Sequence, residues 1–377
     1  MSRYNIIQNF GVRETSPFLM LHYFDPILGF PPCVMHACYL GVCRTMMEAW
    51  VQSRQSDPFY VSSRQLQNID RYLTSIKPPF RVSRKPRPLK FLAWYKAHEL
   101  CMWLFYYSPP ILFHVLKGEY FLHWLRLLKG LSQVLRTDTN EGNLQLAAGN
   151  LNQFWKDTYN LYGKKYCHFN FHLLTHLPYL TQHLGPMYMF LMAPFETYNM
   201  RLKSFISSSQ HIGEQIAKRY LRDLLCKSIY SVNDSGEALS DYTWHSQKTG
   251  KPGWYKCPLD SCAVQYFGRV MHISGKRYYS LCNTKCKSRN SCCFSLNGEQ
   301  MFEAQYFARV PCNGNTYAIG NIFNVTPAFG LWYYYEATSE NHSVCNIADL
   351  EEIIIKLNYG DKIYFSKFIN SVECYNE

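Results

Sequence analysis

Near residue 228 the apolar pattern of this chain changes its period, and that change constrains the fold more than any single motif. Upstream, FLAWYKAHELCMWLFYY, GEYFLHWLRLLKGLSQVLRT and NLQLAAGNLNQFWKDTYNLYG are long apolar-rich stretches between Phe91 and Gly163. Pro-Pro, Gly and Asp/Asn/Gly punctuation separates them, which predicts successive helices. NFHLLTHLPYLTQHLG predicts one more, closed by Gly185 and Pro186. Downstream, SVNDSGEALSDYTWHSQKTGKPGW is polar, and from Tyr255 short β-prone runs such as TYAIGNIFNV and KIYFSKFI alternate with turns. The expectation is an α+β chain: a helical region over 1–227, a linker over 228–254 and a mainly β domain over 255–377.

The 377 residues are 47% hydrophobic and 18% charged, a globular balance with enough apolar mass for real cores. The longest apolar stretch, Phe91 to Leu116, is broken by Lys96, His98, Glu99 and Pro109-Pro110, so it predicts no membrane span. The N-terminus lacks a charged-then-apolar signal design. Fifteen cysteines, an odd count with no visible secretory route, read as mostly reduced thiols. FLMLHYFDPILGF reads as a strand or extended lead-in ending at Gly29, and Met35 to Trp50 roughly suits one helix face.

The formal net charge of +12 favours a polyanionic partner. The basic residues concentrate in KPPFRVSRKPRPLK, where four prolines forbid a long helix and no acid offsets the charge. It reads as an exposed cationic connector, either a solvated linker or a nucleic-acid contact through Lys77, Arg81, Arg84, Lys85, Arg87 and Lys90.

Three constellations bear on chemistry. Cys33 and His36 share a helix face, as a metal or catalytic pair or as a buried cysteine beside a capping histidine. Glu196 follows Pro194 in the first turn of a helix, where a carboxylate either caps or serves as a metal ligand that needs partners from other elements. Cys257, Cys262, Cys282, Cys286, Cys292 and Cys293 are spaced irregularly for a zinc ribbon, and read as buried free thiols before they read as a zinc site. His172 and His176, with His168 and His183 near them, read as packing or capping residues. No Walker loop, Rossmann fingerprint or nucleophile elbow is present.

Taken in order, YFDPILGFPPCVMHACYLGV, RKPRPLKFLAWYKAHELCMWLFYYSPPIL and NFHLLTHLPYLTQHLGPMYMFLMAPFETYNMRLKSF resemble consecutive segments of CACTA (EnSpm-type) DNA transposases, from about residue 20 to 227. The resemblance implies an RNase H-like catalytic domain with a large helical insertion, here about 51–185. It implies three carboxylates that hold two Mg²⁺ or Mn²⁺ ions for attack on a phosphodiester. By motif match Glu196 is the third carboxylate and a metal ligand, while Cys33 and His36 are the Cys/Asp-x-x-His signature, read as supporting the site's architecture. The two aspartates that precede this signature in the family have no match in the 32 residues before Cys33, and Asp25 belongs to the Phe-Asp-Pro lead-in. The chain is therefore expected to be the C-terminal, catalytically incomplete portion of such a protein. It should be nuclear, bind DNA or assemble with itself or an upstream transposase half, and hold no ion tightly by itself. The alternatives are an active enzyme whose upstream half lies outside this sequence, and a domesticated host interaction protein.

Overall fold

The computed structural model describes residues 16–232, 242–248, 263–272, 276–283, 289–297, 300–312 and 314–370. It is an α+β protein in which every strand lies after residue 241 and the described residues of 16–232 form no strand.

The helical region starts with a π-helical stretch, Met35–Cys43, that runs directly into α1 (Arg44–Gln52). The wider π turn is uncommon over this length. Its apolar residues Met35, Ala37, Cys38, Tyr39, Val42 and Cys43 are all buried. Helix α2 (Ser63–Ser75) begins with a reciprocal capping box between Ser62 and Gln65. Helix α3 (Ala97–Met102) continues through a second π segment, Trp103–Tyr107, into α4 (Ser108–Val115). Helices α5 (Gly118–Leu135) and α6 (Glu141–Tyr162) form an antiparallel hairpin. Gly130 makes their close approach feasible, because a Cβ there would lie 2.5 Å from Leu151 Cγ. Short helices α7 (Phe169–Leu173) and α8 (Leu177–Leu184) follow, and Gly185 ends α8 at φ +92°. Helices α9 (Ala193–Ser204) and α10 (Ile212–Val232) complete the region.

The strands are β1 (Tyr242–Lys248), β2 (Gln265–His272), β3 (Arg277–Tyr279), β4 (Cys293–Leu296), β5 (Gln300–Arg309), β6 (Thr316–Pro327), β7 (Tyr334–Asn346), β8 (Leu350–Ile353), β9 (Ile355–Tyr359) and β10 (Lys362–Ser366). They form one antiparallel sheet in the order β1-β2-β5-β6-β7-β10-β9, with β3 on β2 and β4 between β5 and β8. Between β5 and β6 the backbones meet tightly at Gly320, where a Cβ would lie 2.0 Å from the Glu303 carbonyl oxygen.

Three expectations need correction. First, the supposed linker is partly structured: α10 runs to Val232, and Tyr242–Lys248 pairs in register with β2. Second, helices and sheet do not bury separate cores. Trp103, Phe105, Trp124, Tyr333, Tyr334, Leu357, Tyr364 and Phe368 belong to one apolar cluster, with smaller clusters confined to the sheet. Third, the lead-in is not extended. Ser16 caps a 3-10 turn at Pro17–Met20, and Asp25 Oδ1 accepts from the Ile27 and Leu28 amides at 2.7 and 2.9 Å. Those side-chain bonds favour turns, and Phe18, Phe24 and Phe30 pack around them, Phe30 edge-to-face with the other two.

Candidate functional site

Cys33, His36 and Glu196 are brought together although 160 residues separate the signature from the glutamate. Cys33 immediately precedes the long helix, and its carbonyl accepts from the Ala37 amide. That helix lies against α7, with Gly41 so close to Asn170 that a Cβ would meet its Nδ2 at 2.5 Å. Across from it, Met192 precedes α9. Its amide, which has no partner inside that helix, donates to Cys33 Sγ at 3.3 Å. One turn on, Glu196 Oε1 lies 3.3 Å from His36 Nε2. The signature therefore fastens the first turn of α9 at two points, one on the backbone and one on the carboxylate.

The pair is less sheltered than a structural pin would be: Cys33 is half-buried, and the His36 and Glu196 side chains are 53% and 54% exposed. As the sequence predicts, Pro194 and Glu196 occupy the first turn of α9. Two-metal phosphodiester chemistry needs several hard oxygen ligands around two ions. Among the described residues, the one cluster of three or more His, Cys, Asp or Glu ligand atoms is elsewhere, so the Glu196 site does not fit that ion pair.

The histidines of 168–183 pack against neighbouring rings in tilted or edge-on contacts. His172 lies against Trp155, His183 against Tyr179 at 4.3 Å, and the Nε2 atoms of His172 and His176 are 3.1 Å apart on an exposed face.

The basic segment is docked rather than free, which corrects the reading of an exposed connector. Pro78, Pro79, Val82 and Leu89 are buried. The Asn290 amide donates to the Pro78 carbonyl, the Phe80 amide donates to Ser291 Oγ at 2.7 Å, and the Arg289 guanidinium reaches the Pro79, Val82 and Ser83 carbonyls. Its six cations separate into two kinds. Arg87 forms a two-pronged pair with Glu99 at 2.6 and 2.7 Å, and Arg81 lies over the Phe368 ring. Lys77, Arg84, Lys85 and Lys90 are exposed, with Lys90 beside Phe91 and the 73% exposed Trp94 just beyond.

Of the six C-terminal cysteines, Cys257, Cys262 and Cys286 lie outside the described residues, and Cys282 Sγ sits 3.1 Å from Ser280 Oγ. Cys292 and Cys293 are buried with Glu303, and the three ligand atoms lie within 4.8 Å of one another. Cys292 Sγ donates to Asn290 Oδ1 at 2.8 Å, and Cys293 Sγ to Glu303 Oε1 at 3.6 Å. Lys356 Nζ donates to Glu303 Oε2 at 2.9 Å. Burial pushes the Cys293 thiol well above its ordinary pKa, with Cys292 and Glu303 adding to the effect. Sequence reading noticed the adjacent cysteines but missed Glu303. Its one visible signal is a single acid inside the apolar strand QMFEAQYFAR.

Comparisons with known protein families, curated proteins and solved structures found no match for this chain.

Proposed function

We propose that this chain is a transposase-derived DNA-binding protein, corresponding to the C-terminal, non-cleaving portion of a CACTA-like enzyme. The observation that carries the reading is the contact between His36 and Glu196, with Cys33 on the Met192 amide. Two segments of the resemblance, far apart in sequence, meet at the residues that carry it. The described residues of 16–232 form no strand, so the reading leans on the helical insertion and on the helix that presents Glu196, and not on an RNase H-like sheet. The carboxylate is engaged by an imidazole and, among the described residues, has no companion carboxylates that would make it a metal ligand, so in this chain it meets His36 at the first turn of α9 rather than an ion. The work left to the protein is to hold nucleic acid and to assemble, within a nucleus, with itself or with an upstream transposase half. Lys77, Arg84, Lys85 and Lys90 supply exposed charge, and Phe91 and Trp94 supply faces on which bases stack.

The test is fluorescence anisotropy of a labelled duplex and of a labelled single strand with the full chain across a salt series. Binding that weakens with salt is expected. Lys77→Ser/Arg84→Ser/Lys85→Ser/Lys90→Ser should weaken it and flatten its salt slope, by about 0.9 per lost phosphate contact on duplex and about 0.7 on a single strand. An unchanged affinity and slope would remove these cations from any nucleic-acid surface. Nicking in Mg²⁺ or Mn²⁺ that disappears in Glu196→Ala would overturn the non-cleaving assignment.

A further inference from the structure

The group of Cys292, Cys293, Glu303, Asn290 and Lys356 has no part in the function proposed above. It also costs energy as it stands. A buried carboxylate and ammonium lose much of their hydration, and apolar side chains of similar volume often do as well or better in their place. The Glu303 and Lys356 side chains are only 10% and 12% exposed. Two adjacent, fully buried thiols lie beside this pair: Cys293 Sγ donates to Glu303 Oε1, and the Cys292 Sγ is within 4.8 Å of the same group.

We infer that Cys292, Cys293 and Glu303 form a closed structural site for a thiophilic divalent cation of the Zn²⁺ class, with Asn290 as the fourth ligand. Zn–S and Zn–O distances near 2.3 and 2.0 Å in a tetrahedron place sulfur and oxygen about 3.5 Å apart. Cys293 Sγ and Glu303 Oε1 are 3.6 Å apart, and Cys293 Sγ and Asn290 Oδ1 also 3.6 Å, while Cys292 Sγ and Asn290 Oδ1, hydrogen-bonded at 2.8 Å, must move apart when the thiol proton gives way to the ion. Glu303 presents its two oxygens in the manner of a ligating carboxylate. Oε1 faces the thiols, while Oε2 is held by Lys356, the outer partner that orients such ligands. Charge balances. Two thiolates and one carboxylate carry −3, and a divalent cation with the Lys356 ammonium carries +3. Binding replaces two thiol protons by one cation and changes no oxidation state.

The location gives the ion a structural purpose. Cys293 pairs with Glu303 across β4 and β5, and the Cys293 carbonyl accepts from the Ile354 amide. Asn290 lies in the segment that grips Pro78 through Ser83. A cation here ties β4 and β5 to the clasp on the basic segment.

The reduced full chain, stripped with chelator, would be titrated with Co²⁺ as a spectroscopic probe and with Zn²⁺ by calorimetry. One equivalent with a thiolate-to-cobalt charge-transfer band is expected. Cys292→Ser/Cys293→Ser should abolish the band, and Glu303→Gln should weaken binding at least tenfold. Cys257→Ser/Cys262→Ser/Cys282→Ser/Cys286→Ser should retain it. Zn²⁺ should raise the melting temperature of the parent chain and raise it less in Glu303→Gln. No stoichiometric binding, a band that survives loss of Cys292 and Cys293, or full affinity in Glu303→Gln would overturn the site. If the double cysteine variant fails to fold, Glu303→Gln decides with both thiols in place.

Discussion

Tyr334 at the start of β7 donates its hydroxyl to the carbonyl of Tyr106 at 2.9 Å, across 228 residues of sequence. The Tyr106 hydroxyl in turn accepts from the Ile369 amide at 3.2 Å. Both tyrosines are buried, so the contact lies inside the core that helices and sheet share. Residues 1–227 alone would leave Phe105 and Tyr106 without the cover that Tyr333, Tyr334 and Phe368 now give them. The expected outcome is that a 1–227 fragment binds a hydrophobic dye and lacks a cooperative melt, whereas the full chain melts in one transition. Tyr334→Phe should cost about 1 kcal/mol, the usual net worth of one hydrogen bond. Independent, cooperative folding of 1–227 would show that the shared core is not needed.

The contact between His36 and Glu196 should matter little to stability. Both side chains are more than half exposed, and exposed pairs are worth up to about 1 kcal/mol. His36→Ala and Glu196→Gln should each lower the unfolding free energy by less than that in urea titration, and the double variant by little more than either. Cys33→Ser keeps an acceptor for the Met192 amide and should be nearly silent. A loss above about 2 kcal/mol in either single variant would mean that the pair anchors α9 far more strongly than its exposure implies.

Local signals in the sequence were read well, and long-range ones were not. Pro194 before Glu196, Gly185 after Leu184 and the punctuated helices of 91–163 are each decided by backbone constraints a few residues wide. The strands after Tyr255 announce themselves through their aromatic and β-branched content. What escaped depends on tertiary contact. Prolines and arginines in 77–90 have a linker's composition, yet Pro78, Val82 and Leu89 find a buried surface made by residues 289–293 and by α2. Cys33 and His36 could be paired with Glu196 only through the family resemblance, because no periodicity connects them.

His123 should make the protein acid-labile. Burial drives its pKa down to about 4 from an ordinary 6.5, against the opposing pull of the Phe154 carbonyl and Asp157. Between those values the unfolded chain binds a proton that the folded chain refuses. Stability is therefore full above pH 6.5 and falls as the pH drops toward 4, by up to roughly 3 kcal/mol. His123→Phe keeps the stacking on Phe154, and the Phe154 carbonyl keeps the Thr158 hydroxyl at 2.8 Å. That variant should flatten the fall when urea midpoints are measured from pH 7.5 to 4. An unchanged slope would assign the acid sensitivity to other groups.

Two glycines should tolerate alanine very differently. At Gly130 the added methyl meets the Leu151 side chain, which must change rotamer or push α5 from α6 but involves no backbone atom, so a cost of about 1–3 kcal/mol is expected. At Gly320 it meets the backbone of Glu303 and Ala304, where only separation of β5 from β6 makes room. Gly320→Ala should therefore yield insoluble or unfolded protein, and Gly130→Ala a folded one with a lower melting temperature. Equal effects would mean that the β5–β6 pairing is looser than its register indicates.

Arg87 should prove a structural cation rather than a nucleic-acid contact. Its guanidinium grips the Glu99 carboxylate with two nitrogens and also donates to the Trp94 carbonyl at 2.8 Å. The Glu99 side chain is 5% exposed and also accepts from the Lys96 amide, so it cannot turn to water if the arginine is lost. Removing one partner of a fully buried pair costs 3–5 kcal/mol. The Arg87 side chain is 36% exposed, so solvent screening reduces that to roughly 2 kcal/mol here. Lysine cannot reproduce the two-pronged geometry, so Arg87→Lys should lose much of the same energy. Arg87→Met/Glu99→Leu removes both charges and should recover most of it. Measured in urea, that pattern separates a packing role from a charge role. Full stability in Arg87→Ala, together with weaker DNA binding and a flatter salt slope, would instead place Arg87 with Lys77, Arg84, Lys85 and Lys90 on the nucleic-acid surface.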